Sequence, residues 1–184
     1  MTASFDPANH RRHESRWFDD FRVGEKFVLP SRTMTDALFL AFQSASGDNH
    51  PVHYDVEYCH RRGMPHMLAH GYQVLIQTAA GAGEFPFMVE DSLVAFLDQS
   101  SRFLAPVFSG DTLYPSIEIV ELLPKGTTGV ISMKSTVYNQ KADLVMDGTQ
   151  RYLVRAVIAP TAGRSALRSS RLRRRGSIER GPYL

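Results

Sequence analysis

The strongest constraint on the fold comes from the second half of the chain, where four β-like segments follow one another. They cover residues 93–108, 112–123, 130–139 and 144–158. Apolar and polar residues alternate within them, as in Ile117-Glu118-Ile119, and short segments with turn-forming residues separate them. Alternation puts every second side chain on the same face of a strand. The four segments therefore predict an antiparallel sheet with one buried face.

The residues before these strands predict helices that could cover the sheet. Thr35 can cap a helix over residues 36–45, whose core face would be formed by Leu38, Ala41, Phe42 and Ala45. Gly47 can end this helix, because glycine accepts the left-handed conformation. A second helix is predicted over residues 71–80, where apolar residues cover most of the circumference and indicate burial on nearly all sides. The pattern predicts an α+β fold, an antiparallel β-sheet wrapped around a long central helix.

The 184 residues suffice for one domain of ordinary size, and 43% apolar with 22% charged residues is normal for a globular protein. We expect a flexible N-terminal arm over residues 1–15, one folded domain over 16–160 and an Arg-rich, disordered tail over 161–184. Apolar stretches stop short of the roughly 20 residues of a membrane span, and the N-terminus lacks the apolar core of a signal peptide. A single cysteine, Cys59, cannot form an intrachain disulfide. These features predict a cytoplasmic protein without a membrane partner.

Charge is distributed unevenly along the chain. Residues 162–184 contain seven arginines and one acidic residue, whereas the rest of the chain contains 14 basic and 18 acidic residues. An arginine cluster can hold phosphates, nucleic acid or acidic lipid. Because aromatic residues are not interleaved with these arginines and no recognition fold is predicted, specific nucleic-acid binding is not favoured.

Chemistry is expected in one short window that contains five of the seven histidines: His50, His53, His60, His66 and His70. In this window Asp48 follows Gly47, and His53 lies two residues after Pro51. Glycine and the fixed φ of proline can shape a turn that brings the carboxylate and the imidazole to one point. Such a pair can take a proton from water and return one to a substrate. Taken alone, however, Asp48 is more simply read as a cap of the turn and His53 as a structural polar residue.

Three motifs in this order resemble the MaoC-like, R-specific enoyl-CoA hydratases over roughly residues 20–158. They are residues 42–55, the Leu68-Ala69-His70-Gly71 step, and residues 102–108 with 110–113. The resemblance implies a single hotdog fold and reversible syn hydration of a trans-2-enoyl-CoA to an (R)-3-hydroxyacyl-CoA. It implies no metal and no redox cofactor, with coenzyme A present only as part of the substrate. A homodimer or higher homo-oligomer is also implied, with the acyl site at the interface.

The resemblance also assigns roles to residues. Asp48 and His53 match the family's catalytic aspartate and histidine, which hold the reacting water. We favour Asp48 as the base and His53 as the residue that orients the water and relays its proton. Gly71 matches the glycine whose backbone N–H receives the negative charge on the thioester oxygen. His70 beside it is either a substrate-binding residue or, more simply, a structural residue at the start of the buried helix.

One position departs from the family pattern, since His50 stands where the family most often has Asn, with Asn49 one residue earlier. His50, Asn49 and Asp55 are candidates for supporting the catalytic pair, although Asp55 is more simply read as the cap of a short helix over residues 56–60. No spacing of the histidines and Cys59 matches a standard zinc pattern, so no metal site is predicted. The alternatives on the same fold are a thioesterase, an acyl-carrier-protein dehydratase and a non-catalytic acyl-CoA-binding protein.

Overall fold

One antiparallel sheet dominates the computed structural model, which describes residues 5–157. Its strands in chain order are β1 (Lys26–Val28), β2 (Arg32–Thr33), β3 (Leu93–Phe103), β4 (Thr112–Lys125), β5 (Thr128–Asn139) and β6 (Leu144–Arg155). Their spatial order is β1-β4-β5-β6-β3, and β2 pairs with β4 as well. The four predicted β segments are thereby confirmed as β3 to β6.

The helices in chain order are α1 (Asp36–Ser46), α2 (Val56–Arg61), α3 (Gly71–Leu75) and α4 (Phe85–Met88). Short 3-10 turns lie at Pro7–Asn9, Phe18–Asp20, Pro51–His53, Ile76–Thr78 and Ala80–Ala82. Among the described residues, no helix is long and apolar enough to cross a membrane.

The helix α1 begins and ends at the caps that the sequence predicted. The Thr35 side chain accepts a hydrogen bond from the Leu38 N–H at 3.4 Å, and Gly47 has a φ of 71°. The buried face of α1 differs, however: Phe39 is buried, whereas Ala41 and Ala45 are exposed. The prediction failed there because small apolar residues were assigned to the core by periodicity alone, which does not distinguish alanine on a solvent face from alanine in the core.

The central helical segment is shorter and more exposed than the apolar pattern predicted. The α-helix ends at Leu75, a 3-10 turn continues to Thr78, and Ala79, with φ −57° and ψ 118°, leaves the helical conformation. One face, with Gln73 and Val74, is buried against the sheet, whereas Tyr72 is 65% exposed. Burial on nearly all sides is therefore wrong for a single chain.

Two apolar clusters fill the space between the sheet and the segments that cover it. The first joins the N-terminal segment and α4 to the middle of the sheet through Phe21, Phe85, Ile119 and Met133. The second joins α1 and α3 to the other end of the sheet through Phe39, Val74, Val137 and Met146. The histidine window lies beside the second cluster.

A short backbone pairing fixes the start of α3. The N–H of Ala69 donates to the oxygen of Val107 at 2.8 Å, and the N–H of Ser109 donates to the oxygen of Met67 at 2.9 Å. The segment after β3 thus holds residues 67–69 in place, so that the next two residues start α3 at a defined position.

The N-terminal arm makes ion pairs in its described part. Arg12 lies 2.7 Å from Glu84, and His13 contacts the same carboxylate. The flexibility of the arm stays a prediction, and the predicted tail over 161–184 lies outside the described residues.

Candidate active site

The Asp48 carboxylate is set by the turn that follows α1. Its Oδ1 accepts a hydrogen bond from the His50 N–H at 3.0 Å, and its own N–H donates to the Ser46 hydroxyl at 3.2 Å. Next, Pro51–His53 forms a 3-10 turn capped by His50, whose Nδ1 accepts from the Val52 N–H at 3.2 Å. The turn that Gly47 and Pro51 predicted is therefore present, and it brings Asp48 and His53 to the same side of the chain.

The tautomer of the neutral His53 ring follows from its hydrogen bond. Its Nδ1 lies 2.7 Å from the Leu68 carbonyl oxygen. A carbonyl can only accept, so Nδ1 carries the hydrogen and Nε2 keeps its lone pair. His53 thus offers an acceptor nitrogen.

The His70 ring has the opposite tautomer. Its Nδ1 accepts from the Tyr72 N–H at 3.0 Å, which caps α3, so in the neutral ring Nε2 carries the hydrogen. That Nε2 lies 3.1 Å from Oδ2 of Asp48. His70 therefore donates to the carboxylate, a contact that the sequence did not predict.

Asp48, His53 and His70 form one cluster, with ligand-type atoms all within 4.8 Å of one another. The backbone N–H of His50 is the main cause that lowers the pKa of the Asp48 carboxyl. Desolvation is the next cause and opposes it, and the His53 and His70 rings lower the pKa further. Asp48 is thus held as a carboxylate near neutral pH. The cluster presents two acceptors, the carboxylate and Nε2 of His53, to a small pocket that also has Phe42 and Gln73 in its wall.

The same cluster has the residue types of a metal site, namely two imidazoles and a carboxylate. A metal ligand must offer a lone pair, and His70 could offer one at Nε2 only by moving its hydrogen to Nδ1. The hydrogen on Nδ1 of His70 would then point at the Tyr72 N–H, so that two donors would face each other without an acceptor. The donor set is therefore a poor fit for a metal ion, and the expectation of a metal-free site stays a prediction.

Two of the three supporting candidates, Asn49 and Asp55, have hydrogen-bond partners outside the catalytic pair. Asn49 is exposed and pairs with Gln43 at 2.8 Å and with the Gly47 oxygen at 3.2 Å. Asp55 caps α2 by accepting from the Tyr58 N–H at 2.9 Å, as its position predicted. His50 contributes its backbone N–H to Asp48 and its ring to the turn. Because asparagine is itself a favoured cap, the His50 ring can fill the position as a cap without altering the pair.

Gly71 lines a second, apolar groove and is next in the chain to His70, which lines the small pocket. No acceptor pairs with its N–H among the described residues, as expected at the first position of a helix. A Cβ at this position would lie 3.0 Å from the Phe103 ring, so a larger residue would require that ring to shift. The groove, about 410 Å³ in volume, is lined mainly by apolar residues, among them Leu68, Val74 and Phe103.

The sequence interpretation missed Gln73, which is 3% exposed and lines the small pocket with Asp48, His53 and His70. It lies three residues after His70, a spacing that puts both side chains on one side of a helix. That spacing was the available signal, but a glutamine in an apolar segment carries no motif of its own.

Comparisons with known proteins agree with this architecture. A family model described as MaoC like domain matches residues 20–141. Protein MaoC of Klebsiella aerogenes is 30% identical over 102 residues, which is 53% of this chain and 29% of that protein. The 3-hydroxybutyryl-CoA dehydratase of Methylorubrum extorquens is 24% identical over 132 residues, covering 72% of this chain and 80% of that protein. The chain thus spans less than a third of the Klebsiella protein.

Solved structures give the same result. A monoamine oxidase regulatory protein from Archaeoglobus fulgius superposes with a TM-score of 0.73 at 30% identity, covering 82% of this chain and 99% of that one. The unliganded R-hydratase PhaJ1 from Pseudomonas aeruginosa superposes with a TM-score of 0.65 at 25% identity. The match covers 80% of this chain and 94% of that one. A Mycobacterium tuberculosis protein with a double hotdog fold superposes with a TM-score of 0.68 at 27% identity. The match covers 81% of this chain and 47% of that one.

The sheet around a central helix matches these hotdog structures, and the family model extends from the N-terminal segment to the end of β5. The chain therefore belongs to the MaoC-like domain family and has its hotdog fold.

Proposed function

We propose that this protein is a hydro-lyase that reversibly adds water to a trans-2-enoyl-CoA and forms the (R)-3-hydroxyacyl-CoA. The observation that supports it best is the convergence of two hydrogen-bond acceptors, the Asp48 carboxylate and Nε2 of His53, on one small pocket. A water molecule has two O–H groups to donate, so two acceptors at one point suit a single bound water. The 3-hydroxybutyryl-CoA dehydratase and the R-hydratase among its relatives support the same reaction class.

In the proposed hydration, the water oxygen forms a bond to C3 as Asp48 takes one of its protons. His53 holds the other O–H and orients the oxygen. The C2–C3 π electrons move to C2 and onto the thioester oxygen, and the proton returns from Asp48 to C2 on the same face, which is syn addition. General acid–base catalysis of this kind contributes about 10²- to 10⁴-fold.

The thioester oxygen gains negative charge in this step, and the Gly71 N–H supplies a donor for it. The hydrogen of the Gly71 N–H has no acceptor among the described residues, and Gly71 lines the apolar groove. A preorganised backbone donor at such an oxygen stabilises the transition state. We place the acyl group in the groove, since its wall is largely apolar. The reaction needs no metal or redox cofactor, and the cytoplasmic location stays a prediction.

We also propose that the chain forms a homodimer through β3. This strand is an edge of the sheet, and it exposes the large apolar side chains of Leu93, Val94, Phe96, Leu97 and Phe103. Exposed apolar edge strands favour pairing with another chain. Leu97→Lys should convert the dimer to a monomer in light scattering, whereas Val28→Lys on the opposite edge, at a side chain that is 76% exposed, should leave it a dimer. A monomeric wild type contradicts the proposal.

The test of the reaction is incubation with crotonyl-CoA. Loss of the enoyl absorbance supports a hydratase, whereas free thiol indicates a thioesterase, and binding without turnover indicates an acyl-CoA-binding protein. Asp48→Asn should lower kcat by at least about a hundredfold with unchanged circular dichroism. Asn49→Ala, next in the chain but pointing to Gln43, is the matched control and should retain activity. Substantial hydration by Asp48→Asn would contradict the mechanism.

A further inference from the structure

Gln73 has a buried side-chain amide nitrogen without a hydrogen-bond partner among the described residues, beside the candidate catalytic cluster. The residue is 3% exposed, and it lines the same small pocket as Asp48, His53 and His70. Its Nε2 has no hydrogen-bond partner among the residues that the structure describes. A buried N–H without an acceptor costs folding free energy, so its presence calls for a ligand or a compensating function.

The neighbouring polar groups between α3 and the sheet are paired, which makes Gln73 different from them. Gln77 donates through Nε2 to the Gln73 backbone oxygen at 3.0 Å. Gln150 donates to the Thr78 oxygen at 3.1 Å, and the Tyr152 hydroxyl donates to Oε1 of Gln150 at 2.7 Å. The missing partner is therefore not a general feature of this layer, and it occurs at the residue that borders the pocket.

The pocket chemistry indicates what this amide could bind. Asp48 and His53 both accept, so they use the two O–H hydrogens of a bound water and leave its oxygen lone pairs free. One lone pair attacks C3, and the other can accept a hydrogen bond. In the reverse direction the same oxygen is the 3-hydroxyl, which gains negative charge as the C3–O bond breaks, and a donor would stabilise it.

We propose that the Gln73 amide donates a hydrogen bond to the oxygen that is added to, or removed from, C3 of the acyl group. The inference rests on the proposed hydratase function and adds a third contact to the water site. It makes Gln73 a determinant of specificity for acyl thioesters that carry oxygen at C3. It also explains why a glutamine occupies an otherwise apolar turn of α3.

Gln73→Met tests the proposal, because methionine keeps the length of the side chain and removes the donor. Gln77→Met is the matched control: it is the same change four residues later on the same buried face, at an amide that already has a partner. Binding is measured with (R)-3-hydroxybutyryl-CoA and with butyryl-CoA, which lacks the C3 oxygen. The Asp48→Asn background prevents turnover during these measurements.

We expect Gln73→Met to weaken binding of the hydroxylated ligand about tenfold, to leave butyryl-CoA binding unchanged, and to lower kcat/KM for crotonyl-CoA by at least about tenfold. Its melting temperature should not fall below that of the wild type, since a buried unpaired donor is removed. Gln77→Met should keep the wild-type ratio of the two affinities. Gln73→Leu is a second variant with the same expected result should the methionine variant fold poorly.

The outcomes separate this inference from the function on which it rests. If the wild type hydrates crotonyl-CoA but the ratio of the two affinities is the same with and without Gln73, the inference is wrong and the function stands. If the wild type neither hydrates crotonyl-CoA nor binds butyryl-CoA, the proposed function is wrong, and the role of Gln73 is overturned with it.

Discussion

His70 makes two separate contacts through its two ring nitrogens, and two substitutions can remove them one at a time. Nδ1 accepts from the Tyr72 N–H at 3.0 Å and caps α3, and Nε2 lies 3.1 Å from Oδ2 of Asp48. Asparagine places an oxygen one bond beyond Cγ, as Nδ1 is, so His70→Asn keeps the cap and removes the donor to Asp48. Glutamine places its nitrogen two bonds beyond Cγ, as Nε2 is, so His70→Gln keeps the donor and removes the cap.

His70→Asn is expected to affect mainly the activity, whereas His70→Gln is expected to affect mainly the stability. His70→Asn should fold as stably as the wild type but lower kcat about tenfold, which is less than the hundredfold or more expected for a group that transfers the proton itself. The loss is limited because the His50 N–H, the main cause of the lowered Asp48 pKa, remains in place. His70→Gln should keep more of the activity and lose about 1 kcal/mol of folding free energy, the usual effect of losing a helix cap.

The pH profile gives a second measurement. Removing the His70 donor takes away one of the contacts that lower the Asp48 pKa, so the pKa rises. The carboxylate is then protonated at higher pH, and the acid side of the kcat/KM profile should move upward in His70→Asn. Urea unfolding and crotonyl-CoA hydration at a series of pH values measure both effects. A His70→Asn variant with wild-type kcat and an unmoved profile would refute the role given to this contact.

Two further predictions concern stability. Gly148→Ala would place a Cβ 2.2 Å from the Ser100 backbone oxygen and should lower the free energy of unfolding by about 3 kcal/mol or more, because β3 and β6 must separate there. Gly81→Ala is the control and should be nearly neutral, since no atom lies within 4 Å of its Cβ. Equal effects of the two substitutions would contradict the predicted clash. Burial raises the pKa of Tyr152 to about 12 from 10.0, so its contribution to stability is fully present below about pH 10 and is lost as the pH rises to about 12. Tyr152→Phe should be less sensitive to pH in that range, as measured by urea unfolding, and an unchanged pH dependence would count against the raised pKa.

Local signals in the sequence predicted the elements better than their arrangement. Thr35, Gly47 and Asp55 were correctly assigned to helix ends, since caps depend on a few adjacent residues. The position of β3 beside β6 could not be derived, because this pairing joins residues about fifty positions apart, such as Asp98 and Arg151. Local patterns carry no information on such a partner.

In the candidate site, too, local features were predicted from the sequence, whereas contacts between distant residues were not. The turn that joins Asp48 to His53 was predicted from Gly47 and Pro51, which restrict the backbone locally. The contact of His70 with Asp48 was not, since it depends on the pairing of residues 67–69 with the segment after β3. The central helix was expected to be longer because apolar residues continue past Leu75, although periodicity does not reveal where a chain leaves the helical conformation at an alanine.

The hydrogen bonds of the histidine rings also decide which ring can gain a proton without moving. A neutral ring is protonated on its free nitrogen, which for His50 and His70 is the Nδ1 that accepts a backbone N–H. Protonating His50 would break the cap of the Pro51–His53 turn, and protonating His70 would break the cap of α3. His53 is anchored through Nδ1–H and receives the proton at Nε2 with its anchor intact. Of these three imidazoles, His53 is therefore the one whose free acceptor nitrogen faces no backbone N–H, whereas His50 and His70 use theirs to hold the two turns beside it.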